Sequence, residues 1–139
     1  MSLSLTVIRV GMGFTMLMGH GLPKYLKFNT IAPFFPDPIG LGSTVSLVLA
    51  IFAELFCSIL LILGIGVRFA VIPLLITMLV AIIVVHSGDP FAKRELAILY
   101  TMGYTSLLIG GRGCYAVKID HLLPNKPWIN WMLGKKTKK

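Results

Sequence analysis

Glu54 is the residue of this chain whose position most needs a chemical explanation. It is the twelfth of the 21 residues from Ser43 to Leu63, and the only charged one among them. A charge at the centre of an apolar run costs at least about 2.5 kcal/mol in a bilayer, so the side chain should face other protein groups. Arg9, six residues into the first apolar run, is the expected partner in a buried charge centre.

The expected pair of Arg9 and Glu54 has two interpretations, which the sequence leaves open. In one, the pair is structural and sets how the first two helices pack, because buried ion pairs often have no other role. In the other, Glu54 is an intramembrane acid that moves protons or binds a ligand, since ionisable residues inside a membrane are candidates for function.

A second group of titratable residues lies at the ends of three apolar runs. His20 and Lys24 end the first run. His86 ends the third, and Glu95 opens the fourth, where the dipole of a helix N-terminus favours a negative charge. Because the first and third helices would run in the same direction, we expect His20 and His86 at a similar depth. These residues predict one external mouth, where a histidine beside a carboxylate could exchange protons with a quinol.

Three interpretations of this mouth are open, and the sequence favours the first over the second and the second over the third. The first is that the side chains only meet water and lipid headgroups at the membrane boundary. The second is a quinone head-group site that uses His20, His86 or Glu95. The third is haem ligation by His20 and His86 across the bundle. Neither histidine shows the strong spacing pattern of a zinc site, so no metal is expected.

The composition indicates which elements position these residues. The chain has 139 residues, of which 56% are hydrophobic and 13% charged, with a mean hydropathy of +0.87. Soluble domains carry about 25% charged residues, so both disorder and an ordinary soluble domain are excluded. Four continuous apolar runs, without the alternation of barrel strands, predict an all-α integral membrane four-helix bundle with up-down-up-down topology. The spans are 3–22, 43–63, 69–86 and 95–111, within a single membrane domain 1–139.

The distribution of lysine and arginine predicts the orientation of this bundle. With four spans both termini lie on one side, which carries eight of these residues against four on the other, leaving out Arg9 inside a span. The positive-inside rule therefore places both termini in the cytoplasm. Six cationic residues fall within 118–139, a tail and not a folded basic face, so nucleic acid is not an expected partner despite a net charge of +8.

Two regions outside the spans are expected at the membrane surface. The external loop 23–42 is too rich in proline for a continuous helix, and its phenylalanines should rest on the membrane. The cytoplasmic tail 112–139 carries Trp128 and Trp131 followed by a run of lysines. Tryptophan beside lysine is typical of an interfacial anchor on an anionic leaflet, so the lipid bilayer is an expected partner.

The ordered set of polar residues and glycines resembles the DoxX family of small four-span membrane proteins. The resemblance extends over about residues 3–120. Its features, in chain order, are Arg9, Gly19-His20-Gly21 with Lys24, Glu54, Gly64 with Arg68, His86, Glu95, and Gly111-Arg112-Gly113.

This resemblance implies a role in membrane redox chemistry. DoxX-like proteins include a subunit of a thiosulfate:quinone oxidoreductase and a member of a complex that handles thiols and oxidative stress. By the same resemblance, the residues lining the site would be Arg9, His20, Lys24, Glu54, His86 and Glu95. We therefore expect a bacterial inner-membrane protein that is the quinone-interacting or membrane-anchoring subunit of a redox system, with other subunits or copies of itself as partners. The alternatives are a non-catalytic scaffold or assembly subunit, and a small transporter.

Overall fold

The structure is a computed structural model that describes residues 3–117 and 126–133. Throughout these residues the regular structure is helical and contains no strand. The long helices of this part are α1 (Leu3–Leu26), α2 (Ser43–Leu63), α3 (Val67–Val85) and α4 (Phe91–Gly110), and a short helix α5 (Pro127–Met132) follows. The prediction of an all-helical protein is confirmed for the described residues.

Three of the long helices, α1, α2 and α3, are long and apolar enough to cross a membrane. Helix α4 has the length of a span but is less apolar, because it contains Lys93, Arg94 and Glu95 near its start and several hydroxyl side chains further along. A fourth crossing, and with it the placement of both termini in the cytoplasm, therefore stays a prediction.

Two helix ends differ from the sequence-based expectation by four residues, and the other ends differ by two at most. Helix α1 continues to Leu26 instead of ending at Leu22, although Pro23 lies within it. A π-helical turn at Leu17–Gly21 places Pro23 in the first turn of the α-helical segment that follows, where its missing N–H costs little. Helix α4 begins at Phe91, immediately after the extended backbone of Pro90, and not at Glu95.

The α2–α3 turn depends on glycine. Gly64 ends α2 in the left-handed conformation with φ of +77°, and Gly66 precedes α3 with φ of +54°. Side chains rarely adopt this conformation, which glycine reaches without steric cost. A Cβ atom at Gly64 would also lie 2.5 Å from Nη1 of Arg9, so this turn and α1 fit closely together.

The long helices pack in a ring in which α1 contacts α2 and α4, and α3 contacts the same two helices. The start of α1 lies against the end of α2, so these two helices are antiparallel. The side chains that fill the interior are Met16, Cys57, Leu61, Val67, Ala70, Val71, Leu74, Tyr104 and Leu107. Many large apolar side chains point outward, as expected for a surface that faces lipid.

Each of the three apolar helices contains one π-helical turn. These turns are Leu17–Gly21 in α1, Phe52–Cys57 in α2 and Ala81–Val85 in α3. The first contains His20 and the second contains Glu54, while the third ends in a 2.9 Å hydrogen bond from the His86 N–H to the Ala81 carbonyl. Single π turns are rare and often occur at functional sites, because the extra residue re-aims nearby side chains.

Candidate functional site

A cavity of about 350 Å³ lies between the four long helices, at the end where α1 and α3 finish and α2 and α4 begin. It reaches Glu54 and Tyr100, which lie midway along α2 and α4. Most of its wall is apolar. The polar and charged side chains in the wall are His20, Lys24, Ser46, Glu54, Thr77, His86, Lys93 and Tyr100.

Glu54 forms an ion pair with Lys24 across the cavity wall. The Glu54 side chain is 2% exposed and that of Lys24 is 24% exposed, so the carboxylate is buried while the ammonium group is partly accessible. The expectation that Arg9 would be the partner of Glu54 is therefore wrong. Lys24 satisfies the buried charge because α1 extends one helical turn further than expected.

Arg9 is buried at the C-terminal end of α2, whereas Lys24 contacts α2 at its midpoint, at Glu54. Nη1 of Arg9 donates hydrogen bonds of 2.7 Å to the carbonyl oxygens of Leu61 and Ile62, and its Nη2 donates to the carbonyl of Tyr115. Leu61 and Ile62 are in the last turn of α2, where carbonyls lack helical partners. Antiparallel packing puts Arg9 level with this turn, roughly 10 Å along the helix axis from Glu54.

The backbones of α1 and α2 approach closely beside Glu54. A Cβ atom at Gly21 would lie 2.5 Å from the Glu54 carbonyl oxygen, so only glycine fits there. The neighbouring Gly19 has open space at the same distance. This close approach brings Lys24 and His20 to the cavity wall next to Glu54.

His20 lies against an aromatic pair from α4. Its ring meets Tyr100 edge to face at a centroid distance of 6.0 Å, and Tyr100 stacks on Tyr104 at 5.7 Å. Tyr104 is completely buried, whereas Tyr100 contributes to the cavity wall. The imidazole thus has one side against a rigid aromatic surface, which limits its rotation.

His86 is held by Asp89, which was not among the candidate ligand-binding residues predicted from the sequence. Nδ1 of His86 lies 2.7 Å from Oδ2 of Asp89, and Nζ of Lys93 lies 3.3 Å from Oδ1. These hydrogen bonds, that from His86 first, keep the pKa of the Asp89 carboxyl below its usual value. The spacing of three residues across the Ser-Gly turn was the signal that could have identified this partner.

Glu95 is exposed and is not among the residues that line the cavity. Because α4 begins at Phe91, the residues on its cavity face are Lys93, Leu96, Ala97 and Tyr100, which have the i, i+3, i+4, i+7 spacing of one helix face. The structure therefore brings His20, Lys24, Glu54 and His86 to one cavity and leaves Arg9 and Glu95 outside it.

The segment after α1 forms a roof over the cavity. The cavity is lined on this side by Phe35, Pro36, Pro38 and Ile39. Nζ of Lys24 lies 5.9 Å from the centre of the Phe35 ring. Asp37 attaches this roof to α2: it accepts hydrogen bonds from the N–H groups of Gly42 and Leu41 and from the Ser46 hydroxyl. These bonds, that from Gly42 first, lower the pKa of Asp37.

The sequence predicted that the phenylalanines of this loop rest on the membrane. Phe34 is exposed in that manner, but Phe35 lines the cavity.

At the other end of the molecule, Arg68 joins α3 to α4 and α5. It donates hydrogen bonds to the carbonyls of Leu108 and Ile109 at 2.7 and 3.1 Å, and to that of Trp131 at 3.0 Å. Its guanidinium also lies 5.1 Å from the Trp131 ring. Trp128 and Trp131 are both exposed. Residues 118–125 and 134–139, which include His121 and the last four lysines of the expected anchor, lie outside the described residues.

Within residues 3–117 and 126–133, no group of three or more histidine, cysteine, aspartate or glutamate side chains is placed to hold a metal ion. The arrangement offers different chemistry. A largely apolar cavity carries a carboxylate, an ammonium group and two imidazoles on its wall, which suits an apolar ligand with a small hydrogen-bonding head.

Helices of this length and apolarity define a multi-pass membrane protein, since the charged side chains within them are buried, as Arg9 and Glu54 are, or lie near the helix ends. The chain belongs to the DoxX family, whose model matches residues 4–87. That range contains Arg9, His20, Lys24, Glu54 and His86, but ends before Glu95. No curated protein and no solved structure matches the chain.

Proposed function

We propose that this DoxX-family protein binds the head group of a quinone in the cavity between its helices, as the quinone-interacting subunit of a redox system in the bacterial inner membrane. The observation that carries the proposal is the wall of the cavity. Hydrogen-bonding groups from several helices, among them Lys24, Glu54 and His86, converge on a space whose wall is mostly apolar.

The size of the cavity fits this ligand class. Its volume of about 350 Å³ lies within the range of small-molecule sites, about 300–1,000 Å³. A substituted quinone ring and the first part of its tail fill such a space, and the rest of the tail lies in lipid. The two oxygens of the ring need hydrogen-bonding partners once they leave water. Lys24 and His20 can donate to these oxygens, and His86 can bind a hydroxyl of the reduced ring.

The wider topology supports a site that opens toward one membrane surface. In this proposal α4 also crosses the bilayer, so both termini lie on one side. The positive-inside rule makes that side the cytoplasm and puts the roof 35–39 on the outer side. The polar face of α4 would be kept away from lipid, because Tyr100 and Tyr104 pack inside the ring of helices. Redox partners would dock on the exposed ends, so the chain itself supplies the membrane site for the quinone.

The test is quinone binding by the protein purified in a mild detergent. Mass spectrometry of extracted lipids would show co-purified quinone, and equilibrium dialysis would measure binding of decylubiquinone. The variant Ala97→Phe fills the cavity, so we expect it to lose binding at least about tenfold. Leu99→Phe adds a ring on the exposed face of the same helix and is the matched control.

Two further variants test the polar groups of the wall. Glu54→Gln removes the anion that holds Lys24 at the wall and should weaken binding of decylubiquinone, whereas His86→Ala should weaken binding of decylubiquinol. Both variants should still fold as a helical monomer or oligomer in detergent. Wild-type protein that neither contains quinone nor binds the probe up to its solubility limit would overturn the proposal. So would normal binding by Ala97→Phe, because the ligand would then lie elsewhere.

A scaffold or assembly role is the second candidate, and Arg9 is the observation that favours it. All of the hydrogen bonds described for its side chain go to backbone carbonyls at the end of α2 and in the segment after α4. In that role the polar residues only fix helix packing. Substitutions at Glu54 and His86 would then lower thermal stability or partner retention in affinity purification, without removing a ligand.

A further inference from the structure

We propose that the cavity binds the hydroquinone form of its ligand more tightly than the quinone form, because Asp89 holds His86 as a hydrogen-bond acceptor toward the cavity. This inference rests on the proposed function and specifies the ligand of the same site. Asp89 is a positioning residue in this proposal, since it acts through His86 and does not itself line the cavity.

The first step concerns the proton on His86. Nδ1 of His86 and Oδ2 of Asp89 are 2.7 Å apart, which is a hydrogen bond. An ionised carboxylate can only accept, so a neutral imidazole in this contact must carry its proton on Nδ1 and donate it. Lys93 also contacts this carboxylate, and the two bonds keep the pKa of Asp89 below its usual value. Asp89 is therefore ionised at neutral pH, and a neutral His86 that donates to it through Nδ1 carries its lone pair on Nε2.

The second step concerns the direction in which Nε2 is available. His86 lines the cavity, whereas its partner Asp89 lies outside the lining. The Nδ1 edge of the ring is thus occupied by the loop, and the opposite nitrogen is left for a ligand. In the part of the chain that the structure describes, no hydrogen bond to Nε2 is formed, and the side chain is 34% exposed.

The third step concerns the ligand. A hydroquinone carries O–H groups that donate to a lone pair, while the carbonyl oxygens of a quinone can only accept. Nε2 of His86 therefore stabilises the hydroquinone and leaves a quinone carbonyl without a donor. The ammonium groups of Lys24 and Lys93 can donate to a hydroxyl as well as to a carbonyl oxygen, so they contribute to binding of both forms. Glu54 is a second acceptor on the wall.

The protonation of the His86 ring decides which ligand form is preferred. The charged or titratable side chains that share the cavity with His86 are His20 and Lys24 from α1, Glu54 from α2, and Lys93 and Tyr100 from α4. When His86 is protonated, Nε2 gains a hydrogen and becomes a donor. The preference for the hydroquinone therefore belongs to the ring whose Nε2 lone pair is free.

The experiment compares decylubiquinol, kept reduced under nitrogen, with decylubiquinone by equilibrium dialysis at pH 7.5. We expect wild-type protein to bind the hydroquinone about fivefold more tightly at pH 7.5, the effect of one hydrogen bond. Asp89→Asn can donate its amide N–H to Nδ1, which moves the histidine proton to Nε2, so its ratio should fall to near one. Asp89→Glu should keep the preference, and Ser87→Ala in the same turn is the neutral control.

A spectroscopic measurement separates positioning from simple stabilisation of the turn. In ¹⁵N NMR spectra of labelled protein, wild-type His86 should show protonated Nδ1, and Asp89→Asn should show protonated Nε2. Equal binding of both ligands by wild-type protein, or an unchanged preference in Asp89→Asn, would overturn the inference and leave quinone binding intact. Failure of wild-type protein to bind either ligand would overturn the proposed function together with it.

Discussion

The backbone of α1 at Gly21 touches the backbone of α2 at Glu54, and a single added carbon would lie 2.5 Å from the Glu54 carbonyl oxygen. This contact sets the distance between the two helices at the level of the cavity. It brings Lys24, one turn further along α1, within reach of the Glu54 carboxylate. The ion pair of the cavity wall therefore depends on a glycine that carries no chemistry of its own.

Gly21→Ala should destabilise the protein, because the new methyl group meets backbone atoms that cannot move aside. Overpacking of this kind costs about 1–3 kcal/mol. Gly19→Ala is the matched control: it lies in the same π turn and has nothing within 4 Å of the new Cβ atom. Thermal unfolding in detergent, followed by circular dichroism, measures the difference. Equal melting temperatures for the two variants would contradict the close approach of α1 and α2.

Lys24→Met should also lower stability, since it leaves the buried Glu54 carboxylate without a cation. Removing one partner of a buried pair costs about 3–5 kcal/mol, and the partial exposure of Lys24 puts the effect near the lower value. Lys24→Arg keeps the positive charge and should lose much less stability than Lys24→Met.

The double variant Lys24→Met/Glu54→Gln, compared with the two single variants, completes a double-mutant cycle for the ion pair. It removes both charges, so we expect it to regain most of the melting temperature lost in Lys24→Met. Additive losses in the double variant would show that the two side chains do not interact.

Arg9→Lys should destabilise the protein without weakening quinone binding. Lysine keeps the positive charge but cannot reach the carbonyls of Leu61, Ile62 and Tyr115 together, because it lacks the planar fork of the guanidinium. Loss of one or two charge-assisted hydrogen bonds costs about 2–4 kcal/mol. The check is a lower melting temperature with an unchanged dissociation constant for decylubiquinone. Weaker binding of decylubiquinone by folded Arg9→Lys protein would show that Arg9 belongs to the ligand site.

Asp37 predicts a specific dependence of stability on pH. Its pKa is lowered in the folded protein, first by the hydrogen bond from the Gly42 N–H. Its contribution to stability is therefore present above the pKa of an unfolded aspartate, about 3.9, and is lost as the pH falls through the lower folded value. Asp37→Ala should melt below wild type at pH 7, and the two curves should converge below about pH 4. A difference that stays constant down to pH 3 would contradict the ionised role of Asp37.

The predictions that succeeded from sequence rest on local properties of the chain. Runs such as 43–63 are apolar enough to leave water on their own, so helices of membrane-spanning length could be predicted without knowing their neighbours. Gly64 stops α2 where it was expected to, since its left-handed conformation is a local requirement. The ordered residues from Arg9 to His86 likewise identified the DoxX family, which the family model confirms.

What only the tertiary structure decided is which polar side chains meet. The burial of Glu54 followed from its position in an apolar run, but its partner depended on the axial register of α1 against α2. That register follows from close packing at Gly21 and from π turns that shift the helix phase by a fraction of a turn. It joined Lys24 to Glu54, turned Arg9 toward the end of α2 and left Glu95 off the cavity face. Transfer into lipid is a property of each segment alone, whereas contact between segments is a property of their fit.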